Sequence, residues 1–217
     1  MFLDFLGKNI DVEISGGSFK RGVLIESGLD LFVLYDGWNF HYIPYVHIQR
    51  FYETKKVDGD TVYEPPSETP IATDAISYRK ILMSAKGLFV QVYVTGNKSI
   101  HGYLTSIMND YFVFHSPVYK TMFISMDHVK WLIPYPANAT PYSLENLSLQ
   151  PLTTALARSL EEQMKKLENQ LVILDGGEKE EKIGLLQKVH DYKIALVTAD
   201  GSTMYWNLEH IKTIQLP

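Results

Sequence analysis

The sequence has no cysteine, which excludes a disulfide framework, a thiolate metal site and a cysteine nucleophile. It has no apolar run of the length a helix needs to cross a bilayer. The opening Met1-Phe2-Leu3-Asp4-Phe5-Leu6 has neither a basic leader nor a long apolar stretch. No secretory signal is expected there, and synthesis in the cytoplasm is. Strong charge of either sign is also missing: 20 Lys and Arg stand against 25 Asp and Glu, a net of −5. Counted the same way, residues 1–52 carry −2, 81–135 carry +2 and 151–217 carry −2. No segment is basic enough for a broad phosphate-binding surface. There is no Gly-x-Ser-x-Gly elbow, and Gly16-Gly17 runs into a strand pattern rather than a helix. No enzymatic activity and no cofactor are expected.

What is present is repetition. Three segments end alike, in Val46-His47-Ile48, Asp127-His128-Val129 and Glu209-His210-Ile211. Upstream, Val12-Glu13-Ile14-Ser15-Gly16-Gly17 matches Val92-Tyr93-Val94-Thr95-Gly96-Asn97 and Val172-Ile173-Leu174-Asp175-Gly176-Gly177. Gly22-Val23-Leu24, Gly102-Tyr103-Leu104 and Gly184-Leu185-Leu186 follow. Asp30, Asp110 and Asp191 then open turns into further apolar runs. Order and near-constant spacing over three copies make this a repeat rather than chance agreement.

Each copy reads as five short strands. The Val and Ile positions alternate as a half-buried strand does. The Gly16-Gly17 and Gly176-Gly177 pairs, with Gly96 in the second copy, suit tight hairpins. Gly22, Gly102 and Gly184 fall inside the second strand, where glycine is expected only if the strand bends or another backbone comes close. Residues 39–44, 119–125 and 203–208 read as fourth strands, and the histidine segments as fifth strands. Five bent antiparallel strands in about fifty residues predict a small barrel closed on itself. Helices are expected from Thr73 to Lys86, with Gly87 as the stop, and from Thr153 or Thr154 through Leu156, Leu160, Met164 and Leu167. The fold class is therefore mainly β: three tandem five-stranded barrels, each after a short helix, over residues 1–54, 73–135 and 151–217. Proline- and turn-rich linkers occupy 55–72 and 136–150.

The glycine turns, the Gly-x-Leu strands and above all Tyr205-Trp206-Asn207-Leu208-Glu209-His210-Ile211-Lys212-Thr213-Ile214 resemble the Sm-like spore coat proteins, the family of Bacillus spore coat protein B (CotB). The resemblance spans nearly all of the chain. It implies tandem Sm-like barrels in a structural protein of sporulation. It further implies synthesis in the mother cell, placement in the spore coat or on the spore surface, and other coat proteins as partners. In that family a serine-rich phosphorylated tail follows the repeats, and none is expected before Pro217. RNA-binding Sm proteins carry an Asn after the turn aspartate and an Arg-Gly before the last strand. Asp30-Leu31-Phe32, Asp110-Tyr111-Phe112 and the segments before strand five have neither, so nucleic acid is the weaker alternative. Phe32, Tyr111, Phe112 and Tyr192 are the aromatics it would use.

His47, His128 and His210 could meet on one ion only if three barrels surrounded a common axis. One duplicated residue kept in one duplicated strand explains them more simply, and no metal is expected. Asp30, Asp110 and Asp191 read as turn formers rather than acid–base pairs. Strand-to-strand addition between copies would leave one edge free at each outer copy. The expected intermolecular edge, for self-association, is residues 209–216 or its counterpart at 40–45.

Overall fold

The computed structural model describes residues 2–55, 64–71, 76–95, 98–136, 139, 141–143 and 155–217. The chain is mainly β, with fifteen strands in one antiparallel sheet that does not close on itself. Asn9–Ile14 is β1, Ser18–Ser27 β2, Leu31–Tyr35 β3, Phe40–Pro44 β4 and Ile48–Glu53 β5. After helix α1 (Tyr78–Ser84) come β6 (Phe89–Thr95), β7 (Lys98–Ile107), β8 (Tyr111–Ser116), β9 (Lys120–Ser125) and β10 (Trp131–Pro134). After helix α2 (Leu160–Lys165) come β11 (Leu171–Leu174), β12 (Ile183–His190), β13 (Lys193–Val197), β14 (Thr203–Asn207) and β15 (Thr213–Gln215).

The chain divides into two compact units, Met1–His101 with Val129–Pro141 and Gly102–His128 with Tyr142–Pro217. In the first unit the strand order is β6-β10-β4-β3-β2-β1-β5. Its core gathers Ile10, Val12, Ile14, Leu24, Phe32, Leu34 and Ile43 with Trp131 and Ile133. In the second the order is β14-β13-β12-β11-β15-β9-β8, continued by β7. Tyr111, Val113 and Phe123 share one core there with Leu160, Met164, Val172, Leu186, Ile194 and Ile214. The boundary falls inside the second of the three expected segments, because that segment's strands are shared out between two ladders.

The order fourth-third-second-first-fifth recurs in β4-β3-β2-β1-β5, β9-β8-β7-β6-β10 and β14-β13-β12-β11-β15. The expected closure of each set does not occur: among the described residues no ladder joins a set's fourth strand to its own fifth. A 3-10 turn stands between them in every set, at Tyr45–His47, Met126–His128 and Leu208–His210. The histidines end these turns; they do not lie in the fifth strands, which begin at Ile48, Trp131 and Thr213. Each fifth strand pairs instead with its own first strand, and in the second and third sets also with the preceding set's fourth, as in Leu132 opposite Tyr42 and Ile214 opposite Phe123. Edge donors and acceptors are thus satisfied by a neighbour rather than by closure.

The mid-strand glycines have a common cause. A Cβ on Gly22, Gly102 or Gly184 would stand 2.2 Å from the carbonyl oxygen of Tyr35, His115 or Val197 on the third strand. Three residues further on, each second strand carries one extra residue, Ile25, Thr105 or Gln187, where the register to the third strand shifts. The bulge bends the strand at the same place three times. Gly16, Gly17, Gly176 and Gly177 take φ of 87°, 76°, 69° and 69°, as turn glycines should. Gly96 lies outside the described residues.

The turns after the second strands receive the next helix. The Tyr78 amide donates to Asp30 Oδ1 at 2.6 Å, and the Leu160 amide to Asp110 Oδ1 at 2.8 Å. The neighbouring Leu29 and Asn109 amides donate back to Ile76 and Arg158 carbonyls at 2.9 and 3.0 Å. Asp191 does not correspond. Strand register makes Tyr192 the counterpart of Asp30 and Asp110, and the Asp191 carboxylate is 80 % exposed. Both helices also start later than expected. Ser77 and Ser159 cap them, accepting from the Lys80 and Glu162 amides. Thr73, Thr153 and Thr154 lie outside the described residues.

Gly102→Ala is expected to cost about 1–3 kcal/mol of stability, the usual cost of forcing atoms into a packed site, because neither the His115 carbonyl nor the Phe114 ring has room to retreat. Denaturant unfolding of the variant measures it; an unchanged midpoint would show that the close approach is not what selects glycine.

Candidate functional site

What the strands build repeatedly is a seam where a fourth strand meets the next set's fifth. The first unit holds the seam between β4 and β10, and the second holds the seam between β9 and β15. Among the described residues two strands have no such partner: β5 ends the ladder of the first unit, and β14 ends that of the second.

Burial follows pairing. In the seams Tyr42 and Phe123 are 0 % and 1 % exposed, whereas Tyr205, at the same register on β14, is 78 % exposed. On the fifth strands Trp131 and Thr213 are buried, whereas their counterpart Arg50 has a 67 % exposed side chain. Tyr52, the counterpart of buried Ile133, is 48 % exposed.

Polar groups fasten each seam. In the first, Trp131 stacks on Tyr93 at 3.9 Å between centroids and carries the Lys20 ammonium 4.5 Å above its ring. The Lys130 ammonium donates to the Ser15 carbonyl. Beside them His41, 1 % exposed, places Nε2 2.6 Å from Asp36 Oδ2. Asp36 also accepts from the Trp38 and Asn39 amides at 2.9 and 2.7 Å. Burial works against the Asp36 charge, but the His41 hydrogen bond and those two amides outweigh it and hold the carboxyl down to about 2. Burial pushes the His41 imidazole down despite the Asp36 hydrogen bond. A neutral His41 therefore donates from Nε2 to an ionised Asp36. Its buried Nδ1 finds no partner among the described residues.

In the second seam the fastening carboxylate is Asp175, whose side chain is fully buried. Its Oδ1 accepts from the Lys212 and Thr213 amides at 2.7 and 3.1 Å, and its Oδ2 pairs with the Lys182 ammonium. The Lys212 carbonyl in turn accepts from the Ser125 amide of β9 at 3.0 Å. His128 Nε2 stands 2.7 Å from the Glu209 carbonyl.

The three equivalent histidines have three different surroundings. His47 is buried, with Nδ1 3.1 Å from Ser15 Oγ; His128 faces the Glu209 carbonyl; His210 is exposed. Among the described residues no group of three His, Asp or Glu side chains is placed to hold a metal ion. Of the aromatics considered for base stacking, Phe32, Phe112 and Tyr111 are wholly buried and Tyr192 is half exposed. They are core and turn residues. A surface pocket in the second unit is lined by Glu180, Glu181, Ile183, Thr198, Ala199, Asp200 and Met204, and there the Thr198 hydroxyl donates to Asp200 Oδ1 at 2.6 Å. The edges expected to be free, residues 209–216 and 40–45, are the paired ones.

Sequence reading missed Asp36, His41, Trp131 and Asp175 as fastenings. Asp175 carried a signal, an aspartate directly before Gly176-Gly177 where the other copies have Ser15 and Thr95. The Asp36–His41 pair carried none, since neither has a counterpart of its type in the other copies.

A family model described as the third domain of YwrJ matches residues 159–214, from the cap of α2 into β15. The chain is 46 % identical over 222 residues to a Bacillus subtilis (strain 168) protein named "Uncharacterized protein YwrJ", covering 98 % of this chain and 97 % of that one. It is 29 % identical over 143 residues to spore coat protein B of the same organism, covering 66 % of this chain and 36 % of that protein.

Two outcomes are expected of the fastenings. Asp175→Ala leaves Lys182 and two amides unpaired in the interior and costs about 3–5 kcal/mol, the usual loss on breaking a buried pair; urea denaturation checks it against Glu178→Ala on the adjoining surface. Asp36 has a folded-state pKa below its ordinary value, so its contribution is complete above pH 3.8 and is lost as pH falls through about 2. Thermal midpoints over that window should fall more steeply in the native chain than in Asp36→Asn, and parallel curves would refute the assignment.

Proposed function

The chain belongs to the YwrJ family, and from that premise we propose that it is a structural, non-enzymatic, spore-associated protein that works through protein–protein contacts. Each recurring five-strand set, in this reading, is an Sm-like unit, so the chain is a tandem of three over residues 1–54, 73–135 and 151–217. The similarity to spore coat protein B supports the spore context, with other coat proteins as partners and the spore coat or surface as the destination. The family model for a third domain fits a three-unit chain.

The observation that carries the contact role is the recurring seam. The protein uses the same fourth-to-fifth strand geometry twice to join one set to the next, and sets the buried Asp175 and His41 at those joins. Several carboxylates and histidines are committed in the same way: Asp30 and Asp110 receive helix amides, Asp36 and Asp175 fasten seams, His47 Nδ1 pairs with the Ser15 hydroxyl, and His128 Nε2 with the Glu209 carbonyl.

The test is timing and place. Immunoblots through a sporulation time course, followed by fractionation of purified spores, should find the protein only after sporulation begins and then in the coat extract. Equal amounts in vegetative cells, with none in the coat fraction, would refute the reading.

A further inference from the structure

We infer that the chain binds a second copy of itself by pairing β14 of one molecule, antiparallel, with β5 of the other, with Tyr205 opposite Phe51. The inference deepens the protein-contact reading above and rests on it for biological purpose, while its physical basis is independent of where the protein resides.

Both kinds of edge already have their occupants inside the chain. The outer side of a fourth strand takes a fifth strand in the β4–β10 and β9–β15 seams, and both seams are antiparallel. Among the described residues, β14 is a fourth strand without a fifth on its outer side, and β5 is a fifth strand without a fourth. One chain therefore offers one vacant position of each kind. Further copies fill the two positions, one on each side, with segments whose internal counterparts make that contact twice.

The register follows from the internal seams. Tyr42, Phe123 and Tyr205 are equivalent, standing opposite Val33, Val113 and Ala195 of their third strands. Phe51, Leu132 and Ile214 are equivalent, standing opposite Val12, Val92 and Leu174 of their first strands. Both seams join these positions, as Tyr42 to Leu132 and Phe123 to Ile214. The same register sets Tyr205 against Phe51, Trp206 against Arg50 and Met204 against Tyr52.

The side chains suit that match. Residues 203–207 of β14 carry no charge, although open edges are ordinarily guarded by charge or proline. Tyr205 at 78 % and Tyr52 at 48 % expose aromatic surface that the internal seams bury at the same positions. Arg50, ion-paired with Glu13 of its own chain, comes opposite Trp206, whose ring carries the Lys182 ammonium at 5.3 Å. The interface joins two different surfaces, so repeated addition gives a ring or an open chain of molecules rather than a two-fold dimer.

The absence of cysteine makes the test direct. Met204→Cys and Tyr52→Cys full-length variants are oxidised alone and as an equimolar mixture, and the untagged wild type is followed by light scattering over rising concentration. The expected results are a disulfide-linked dimer in the mixture only, and a wild-type mass that climbs above one chain. Tyr205→Glu, at an exposed position, should keep the native circular dichroism and weaken self-association by about tenfold or more. A wild-type mass of one chain at every concentration overturns the inference, as does a disulfide dimer in either variant alone or none in the mixture. A monomer that still purifies with the spore coat would sink this inference and leave the proposed function standing; an oligomer absent from spores would do the reverse.

Discussion

The structure depends on one constraint: a β-strand presents hydrogen-bonding groups on both sides, and a short strand set cannot leave them bare. A five-strand set has two edges. Here the 3-10 turn between fourth and fifth strands breaks the ladder that would have closed the set, so the edges are met by neighbouring sets. From that follow the antiparallel continuity of the sheet, the burial of β4, β9, β10 and β15, and the exposure of β5 and β14. The polar fastenings fall on the same joins because a strand pair as short as β10 or β15 supplies few ladder bonds of its own. The stack of Trp131 on Tyr93 and the carboxylate of Asp175 supply what the ladder lacks.

Local chemistry was legible in the sequence wherever it was set by neighbours a few residues away. Residues 39–44, 119–125 and 203–208 became β4, β9 and β14 to within a residue or two, because alternation and turn residues bound them on both sides. Gly22, Gly102 and Gly184 announced a close backbone approach, though not that the approaching atom would be a third-strand carbonyl. The histidines misled because a 3-10 turn of three residues and the start of a strand have no distinguishing periodicity at that length. Asp191 misled for a different reason. Counting along the chain aligned it with Asp30 and Asp110, whereas strand pairing aligns Tyr192, and only the paired partner reveals the shift.

What remained illegible was long-range. Nothing in residues 40–45 or 209–216 distinguishes a free edge from one paired with a strand ninety residues away. The fastening of the first seam draws Lys20, Asp36 and His41 from three places in one copy and Trp131 from another, each an ordinary surface or core residue by local criteria. The similarity to YwrJ over the whole chain and to spore coat protein B over part of it supplies a biological setting that no side-chain arrangement here states by itself.

The interleaving of the two units has a consequence for the order of events during synthesis. Neither unit is a continuous stretch: the first needs residues 129–141 to place β10, and the second needs residues 102–128 to seat β9 against β15. A ribosome releases β8 and β9 well before the partner that covers the edge of β9 exists. During that interval a strand bearing Met122, Phe123 and Ile124 has one bare side, and a nascent neighbour on the same message offers an equivalent fifth strand. Translation speed across residues 142–212 therefore sets how long the chain is open to exchange of β15 between molecules, a hazard built into joining units by their edges.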